Sequence, residues 1–334
     1  MFDEAYSFGD VLLEPQKSDI NSRSEIDLSV QLGGKKYDLP IMSSPMDTVT
    51  ESTMSAVMSE IGGLGIVHRY CSIQEQCAMI SVGSKAAAIG VSEDMMPRAK
   101  ALHEIGTTVF CIDVAHGHHT LVEKALKSLR DEFGNQVTLI AGNVATREGY
   151  EDLSSWGADA VRVGIGGGSI CSTRIQTGHG IPTFQSILYC ASGEGEAKII
   201  ADGGLRTAGD IVKAYAAGAD FVMLGSMLAG TDEAPGDTFQ GKSGKKYKVY
   251  RGMASKEAQF DWRGEARSLE GISTTIPYKG SVVNILKDLE QNIRSGLSYS
   301  GARNFEEFRR VARFIKQSSS GQSESGTHIL NVSK

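Results

Sequence analysis

The stretch "GIGGGSICSTRIQTGHG", Gly164 to Gly180, places a thiol where packing alone would not put one. Glycines run up to it, and two hydroxyl residues and Arg174 follow Cys171 directly. A structural free cysteine normally sits in an apolar run and behaves as a small hydrophobe. In a polar loop, with a cation nearby to favour the thiolate, it is equipped to attack an electron-poor carbon. Cys71, Cys77, Cys111 and Cys190 lie in helix-like or strand-like patterns and are read as packing thiols. Five cysteines without close metal-type spacing fit a reducing, cytoplasmic setting better than a disulfide framework.

Two further clusters carry chemistry. "ADGG" (Ala201–Gly204) and "LGS" (Leu224–Ser226) each end an apolar run. Glycines there let backbone N–H groups approach phosphate oxygens, and a following helix N-terminus adds a favourable dipole. The competing role is a simple tight turn. Asp202 suits ribose hydroxyls, with a helix cap as the alternative. The histidines of "HGHH" (His116, His118, His119) lack an accompanying carboxylate set, so bonds to backbone or solvent are preferred over a metal. His179, beyond Cys171, is read as a gating or contact residue.

The elements that must position these groups are legible as short apolar runs. They begin at Tyr37, Gly62, Ser84, Thr107, Gln136, Asp159, Lys198 and Asp220, and continuous runs of this length indicate strands buried on both faces. Helical stripes lie between several of them. In "HTLVEKALKSLRDEF" the apolar face is Leu121, Val122, Ala125, Leu126, Leu129 and Phe133. In "RTAGDIVKAYAAG", Thr207 and Asp210 form a capping pair and Gly218 ends the helix. Eight alternating units predict an α/β fold, a (β/α)8 TIM barrel, over a doubly wound sheet. Residues 1–334 are read as one barrel domain. Residues 231–280 are an inserted flap or lid after strand eight, with a hairpin in "DTFQGKSGKKYKVYRG"; residues 317–334 are a mobile, serine-rich tail.

Barrel active sites form at the C-terminal ends of the strands. Strand one therefore delivers Ser43, Ser44, Met46 and Asp47, strand four Asp113 and His116, and strand five Asn143. Strand six delivers the cysteine loop, strand seven Asp202, Gly203 and Gly204, and strand eight Gly225 and Ser226. The formal charge of −6 argues against nucleic-acid binding, and neither a signal peptide nor an apolar run of membrane-spanning length is visible. From the residues alone, two readings stand: a cysteine nucleophile acting on a phosphorylated small molecule, or a flavin-phosphate oxidoreductase with an incidental thiol. A non-catalytic scaffold is third.

Taken together these residues resemble the IMP dehydrogenase / GMP reductase family. "YSFGDVLLEP", "PIMSSPMDTVTE", "GIGGGSICSTR", "IIADGGLRTAGDI", "GADFVMLGSMLAG", "YRGM", "IPYKG" and "SYSGA" carry the resemblance, collinear over nearly the whole chain. It implies that Cys171 attacks C2 of a purine nucleotide, with Thr173 beside it. It places a potassium ion on the carbonyls of Gly166, Gly168 and Cys171, the ribose on Asp202, and the phosphate on Ser169, Gly203, Gly204, Gly225 and Ser226. Tyr250, Gly252, Met253 and Glu270 would line the nucleotide site. Asp113, Val114, Ala115, His116 and Met46 would face the nicotinamide cofactor. The family also implies a homotetramer.

Within the family, "DVAHGH", "GNVAT", "TGHGIP" and "EARSLEG" resemble the reductases, whereas "AGTDEAPG", "YRGM" and "EGI" before "PYKG" resemble the dehydrogenases. The dehydrogenases use an Arg-Tyr pair on a long flap, and the flap here has none. The span from Tyr70 to Gly83 also leaves no room for a pair of small regulatory domains. The expectation is a GMP reductase, converting GMP to IMP and ammonia with NADPH. The alternatives are an IMP dehydrogenase oxidising IMP to XMP with NAD, or a purine-nucleotide-binding barrel without turnover or acting on an unusual purine. The reductases pair the threonine with a glutamate shortly after the "GM" motif. Lys256 stands in that place here, so either the loop is shifted by one residue and Glu257 takes the acid role, or that role belongs elsewhere.

Overall fold

The computed structural model describes residues 4–80, 84–242, 244–267 and 269–326. Eight parallel strands form its centre: β1 (Ile41–Ser43), β2 (Leu64–Gly65), β3 (Ala86–Ile89), β4 (Val109–Asp113), β5 (Thr138–Val144), β6 (Ala160–Val163), β7 (Lys198–Asp202) and β8 (Phe221–Leu224). They are ordered 2-1-8-7-6-5-4-3, so β8 returns to β1. The ring closes between β2 and β3 through a single bridge, Val67 to Ala87. The expected barrel is therefore the fold observed. Its strands are buried on both faces because helices cover the outside and side chains fill the lumen, which is what the unbroken apolar runs require.

Leu32, Tyr37, Met42, Leu64, Ile66, Val109, Ile140, Ile200, Phe221 and Met223 pack together in the lumen. The plug is a hairpin, Val30–Leu32 paired with Lys35–Tyr37. Its turn is Gly33-Gly34, both at positive φ, and a Cβ on Gly33 would stand 1.8 Å from Thr138 Oγ1 at the start of β5. Only glycine fits there. The helices outside follow their stripes. Thr120–Phe133 buries Val122, Ala125, Leu126, Leu129 and Phe133, while Leu121, expected on that face, is 47% exposed because it falls in the first turn, at the rim. Ala208–Ala217 has the expected Thr207/Asp210 capping box and ends at Gly218.

The seam between β2 and β3 is completed by side chains. Gln76, on helix Ile73–Ile80, donates from Nε2 to the carbonyls of His68 (2.9 Å) and Ala88 (2.8 Å). Its Oε1 accepts from Arg98 Nη1 (2.8 Å), and Arg98 Nη2 donates to the Cys71 carbonyl (3.0 Å). This buried network does what a longer backbone ladder does elsewhere in the ring.

The insertion after β8 is richer than the expected hairpin. Strands β9 (Phe239–Gln240), β10 (Lys246–Arg251) and β11 (Ser273–Pro277) form an antiparallel sheet, and helix Lys256–Arg263 lies between β10 and β11. The helix escaped the sequence reading because it buries only Ala258 and Gln259 and shows no apolar stripe. Buried Lys248 pins the sheet's base by donating to the carbonyls of Thr231 (2.9 Å) and Ala234 (2.6 Å). Of the tail expected from 317, Gln317 bonds to Gly9 and Asp10, Ser319–Glu324 is helical, and residues 327–334 lie outside the described residues. Among the described residues no helix is long and apolar enough to cross a membrane.

Replacing Gln76 by Leu leaves two buried carbonyls and the Arg98 guanidinium without their partner, at about 1–3 kcal/mol for each unsatisfied group. Gln76→Leu is expected to lower the thermal midpoint by several degrees in calorimetry, and an unchanged midpoint would show that the seam does not need it.

Candidate active site

The C-terminal ends of the strands open into a cavity of about 480 Å3. Ser44 and Met46 reach it from the turn after β1, Asp113 from β4, Asn143 from β5 and Arg162 from β6. The glycine loop with Cys171 follows β6. Asp202, Gly203 and Gly204 come from β7, and Gly225 and Ser226 follow β8. The flap supplies Tyr250, Gly252, Met253, Gln259, Trp262, Arg263, Arg267 and Glu270 as the opposite wall.

Cys171 ends a hydrogen-bonded relay. Its thiol donates to Thr173 Oγ1 (3.1 Å), and the Thr173 hydroxyl donates to Glu270 Oε2 (2.8 Å). Backbone pairing fixes the relay's geometry: Ser172 N–H donates to the Glu270 carbonyl (2.9 Å) and Ile272 N–H to that of Ile170 (3.1 Å). The flap's return strand is thereby stitched to the cysteine loop, and a proton path joins sulfur to carboxylate. The other cysteines have no such path. Burial pushes the thiols of Cys111 and Cys190 up to about 12 and that of Cys71 to about 11.

A second frame holds the mouth open. Arg162, buried in the barrel, donates from Nη1 to Asp113 Oδ1 (2.5 Å) and from Nη2 and Nε to Asp202 Oδ2 (2.8 and 3.1 Å). Asn143 Nδ2 donates to the same Asp202 oxygen (2.8 Å) and to the Gly164 carbonyl (2.9 Å), tying the frame to the cysteine loop. Gly164 allows this approach, since a Cβ there would lie 2.0 Å from the Asp202 carbonyl oxygen. Asp113 also accepts from the Tyr70 hydroxyl (3.1 Å). Burial works against the Asp113 carboxylate, but the Arg162 and Arg69 guanidiniums outweigh it and hold its carboxyl below the ordinary value.

Opposite, buried Tyr250 lines the cavity together with Ser169 and Ser226. Gly225 sits beneath it, where a Cβ would be 3.1 Å from the Tyr250 hydroxyl and 3.5 Å from Ser44 Oγ. Gly203 and Gly204, at φ +84° and +79°, complete a rim of hydroxyls and bare backbone of the kind that receives phosphate.

This arrangement has close relatives. Residues 5–328 match the family model described as IMP dehydrogenase / GMP reductase domain. The chain belongs to the IMP dehydrogenase / GMP reductase family. It is 33% identical to inosine-5'-monophosphate dehydrogenase of Nitrosopumilus maritimus, covering 98% of each chain. It is 31% identical to GMP reductase of Leishmania major, covering 98% of this chain and 97% of that one. A crystal structure of a GMP reductase variant from Trypanosoma brucei in complex with guanosine 5'-monophosphate superposes with a TM-score of 0.93 at 30% identity, covering 98% of both chains. The first two alignments run over 471 and 480 positions, so those relatives carry residues that this chain of 334 lacks.

Most residues expected from the family resemblance line the one cavity: Met46, Asp113, Val114, Ala115, Gly166, Gly168, Ser169, Cys171, Thr173, Asp202 to Gly204, Gly225, Ser226, Tyr250, Gly252, Met253 and Glu270. Several candidates are not among its lining; Ser43 is buried and accepts from the Thr50 hydroxyl, and Asp47 pairs with Arg251. Glu257 is exposed on the first turn of helix Lys256–Arg263, and the carboxylate that reaches Thr173 is Glu270, here part of the relay and not simply a lining group. Arg174 packs its side chain against Gly166 and Gly180, under the loop, not toward the thiol's cavity. His116 is exposed, and His179 bonds within its own turn to the Thr177 carbonyl. His118 pairs with Asp152 (2.7 Å), and His119 caps helix Thr120–Phe133 by accepting from Leu121 N–H. For a potassium ion, the carbonyls of Gly166 and Cys171 accept no hydrogen bond among the described residues, and that of Gly168 accepts only from Cys171 N–H (3.2 Å). Three such oxygens suit a hard cation.

The sequence reading missed Arg162, Arg69, Tyr70 and Trp262. Arg162 lay inside a strand pattern, "DAVRVG", where an arginine surrounded by apolar residues is itself a signal of a buried ion pair.

Asp113 titrates below its unfolded value, so its charge stabilises the fold above about pH 4, and that contribution is lost as pH falls through the folded value. Removing Arg162 takes away the largest of the interactions that offset burial of Asp113. Arg162→Met should cost about 3–5 kcal/mol at pH 7 in urea unfolding. The deficit should shrink as pH falls toward about 4, because Asp113, buried without its main partner, takes up a proton. A deficit that stays constant with pH would exclude this electrostatic role.

Proposed function

We propose that this member of the family is a GMP reductase, catalysing GMP + NADPH + two protons → IMP + NADP+ + ammonium. As an enzyme of the IMP dehydrogenase / GMP reductase family it is an oxidoreductase acting on a purine nucleotide. The observation that carries the finer reading is the relay Cys171–Thr173–Glu270. Attack on C2 requires the thiol to lose its proton, and departure of the 2-amino group requires that nitrogen to gain one. Thr173, bonded to both sulfur and carboxylate, serves both steps. Glu270 takes the thiol proton through the Thr173 hydroxyl as the C–S bond forms. The same carboxyl returns a proton through Thr173 as the C–N bond breaks and ammonia leaves.

The nicotinamide supplies the hydride that reaches C2 when bound. The Cys171 sulfur then leaves as thiolate; it and the released ammonia each take up one proton from solvent, which restores the relay and accounts for the two protons consumed. Cys171 thus divides one difficult substitution into two easier ones. Asp202 Oδ1, without a protein partner among the described residues, is the acceptor for ribose hydroxyls. Ser169, Gly203, Gly204, Gly225, Ser226 and Tyr250 hold the 5'-phosphate. Met46, Asp113, Val114 and Ala115, which line the same cavity, would face the nicotinamide, and carbonyls of Gly166, Gly168 and Cys171 would hold potassium to steady the loop. The second reading, an IMP dehydrogenase, is favoured by the 33% identity to the Nitrosopumilus maritimus enzyme over nearly the whole chain.

Nicotinamide absorbance in potassium buffer separates the two. GMP with NADPH should lose absorbance, and IMP with NAD should gain none; the reverse pattern would make the protein a dehydrogenase. Cys171→Ala is expected to abolish turnover while GMP still binds in calorimetry. Glu270→Gln should lower kcat by about 10²–10⁴-fold, the usual contribution of a positioned acid or base. Glu257→Gln should leave kcat within about twofold, since surface groups away from a site matter little.

A further inference from the structure

Helix Lys256–Arg263 brings Trp262 and Arg263 to the cavity wall, yet it has almost no apolar anchorage, since only Ala258 and Gln259 are buried. What holds it is polar. Arg251, the last residue of β10, grips two carboxylates at once. Its Nη2 and Nε bond Asp47 Oδ2 (2.6 and 3.0 Å), in the turn after β1, and its Nη1 bonds Asp261 Oδ2 (2.5 Å), on the helix. The barrel end of this tether is shielded, with Asp47 14% exposed, whereas Asp261 is 63% exposed. Two further bonds lock the same junction: Arg251 N–H donates to Thr48 Oγ1 (3.3 Å), and Asp47 N–H to Met253 Sδ (3.4 Å).

Asp261 immediately precedes Trp262. The indole meets the Tyr70 ring edge-on at 5.2 Å, and the Arg263 guanidinium lies over it at 4.1 Å. Tyr70 in turn donates to Asp113. Trp262 Nε1 is buried without a hydrogen-bond partner among the described residues, so a donor stands ready in the cavity wall.

We propose that Arg251 is a positioning residue that docks the flap helix on the barrel and thereby sets Trp262 against Tyr70 as the wall of the second-ligand side of the cavity. A planar guanidinium suits the task because it can serve two carboxylates in fixed directions, which an ammonium on a flexible stem cannot. The wall is shaped for an aromatic ring carrying an acceptor, such as a nicotinamide carboxamide. That assignment of the ligand rests on the function proposed above; the docking itself does not.

Trp156 and Trp262 are the protein's two tryptophans, so Trp156→Phe isolates Trp262 as a fluorescent reporter. In that background Asp261→Asn removes the negative charge from the exposed arm of the tether and spares the shielded one, which keeps the fold intact. The expected result is a red-shifted emission with acrylamide quenching raised about twofold or more. The KM for NADPH should rise about three- to tenfold, the scale of a partly exposed charged bond. The KM for GMP and kcat should stay within about twofold. Arg251→Lys should fall between the two proteins in quenching. Unchanged emission and quenching in Asp261→Asn would overturn the proposal, and so would a red shift with the NADPH KM unmoved. If the parent protein turns over neither nucleotide pair, the functional reading fails, and the tether is then judged by fluorescence alone: a shift upholds the docking and its absence refutes it.

Discussion

The molecule is organised around one cation placed where a cation is hardest to keep. Arg162 stands inside the barrel mouth with carboxylates on two sides, Asp113 at 2.5 Å and Asp202 at 2.8 Å. Such triads are not retained for stability, since apolar replacements of the whole set are often neutral or better. Their value is directional. Arg162 fixes one oxygen of each carboxylate, and that Asp202 oxygen also accepts from Asn143, which grips the Gly164 carbonyl at the root of the cysteine loop. A chain of fixed bonds thus runs from the barrel axis to the root of the loop that carries Cys171.

The flap depends on the same principle with different parts. Its sheet rests on a buried lysine, its helix on an arginine between two aspartates, and its return strand on backbone pairing with the cysteine loop. Apolar burial, which assembles the barrel, contributes little here. A segment held by a handful of polar contacts can yield without disturbing the core, which is the property a cover over a reaction site needs.

This contrast explains what the sequence disclosed. The barrel was legible because its strands are buried on both faces and its helices on one, and periodicity records burial. Thr207, Asp210 and Gly218 marked their helix because caps use few residue types. Cys171 and the glycine loops were legible because those residue types are odd in such places. Helix Lys256–Arg263 and β11 were not, because they bury too little to leave a period. The substitution of Glu270 for Glu257 in the relay has the same origin. The family resemblance pointed to a glutamate near the "GM" motif, but antiparallel pairing of the returning strand with the cysteine loop brings in one thirteen positions further along. Sequence separation says little once a sheet folds back.

The short strand Val11–Leu13 pairs with Phe314–Lys316, and Gln317 bonds to Gly9 and Asp10. The first partner of this pair leaves the ribosome about 300 residues before the second. At roughly 5–20 residues per second it waits some 15–60 s with its backbone groups unpaired. The contact order of this one ladder is close to the greatest the chain permits, so it belongs among the last contacts to form. Once made, it fastens the segment before the barrel strands to the one after them, and a circularly permuted chain in which the two are joined would begin folding with that contact already local.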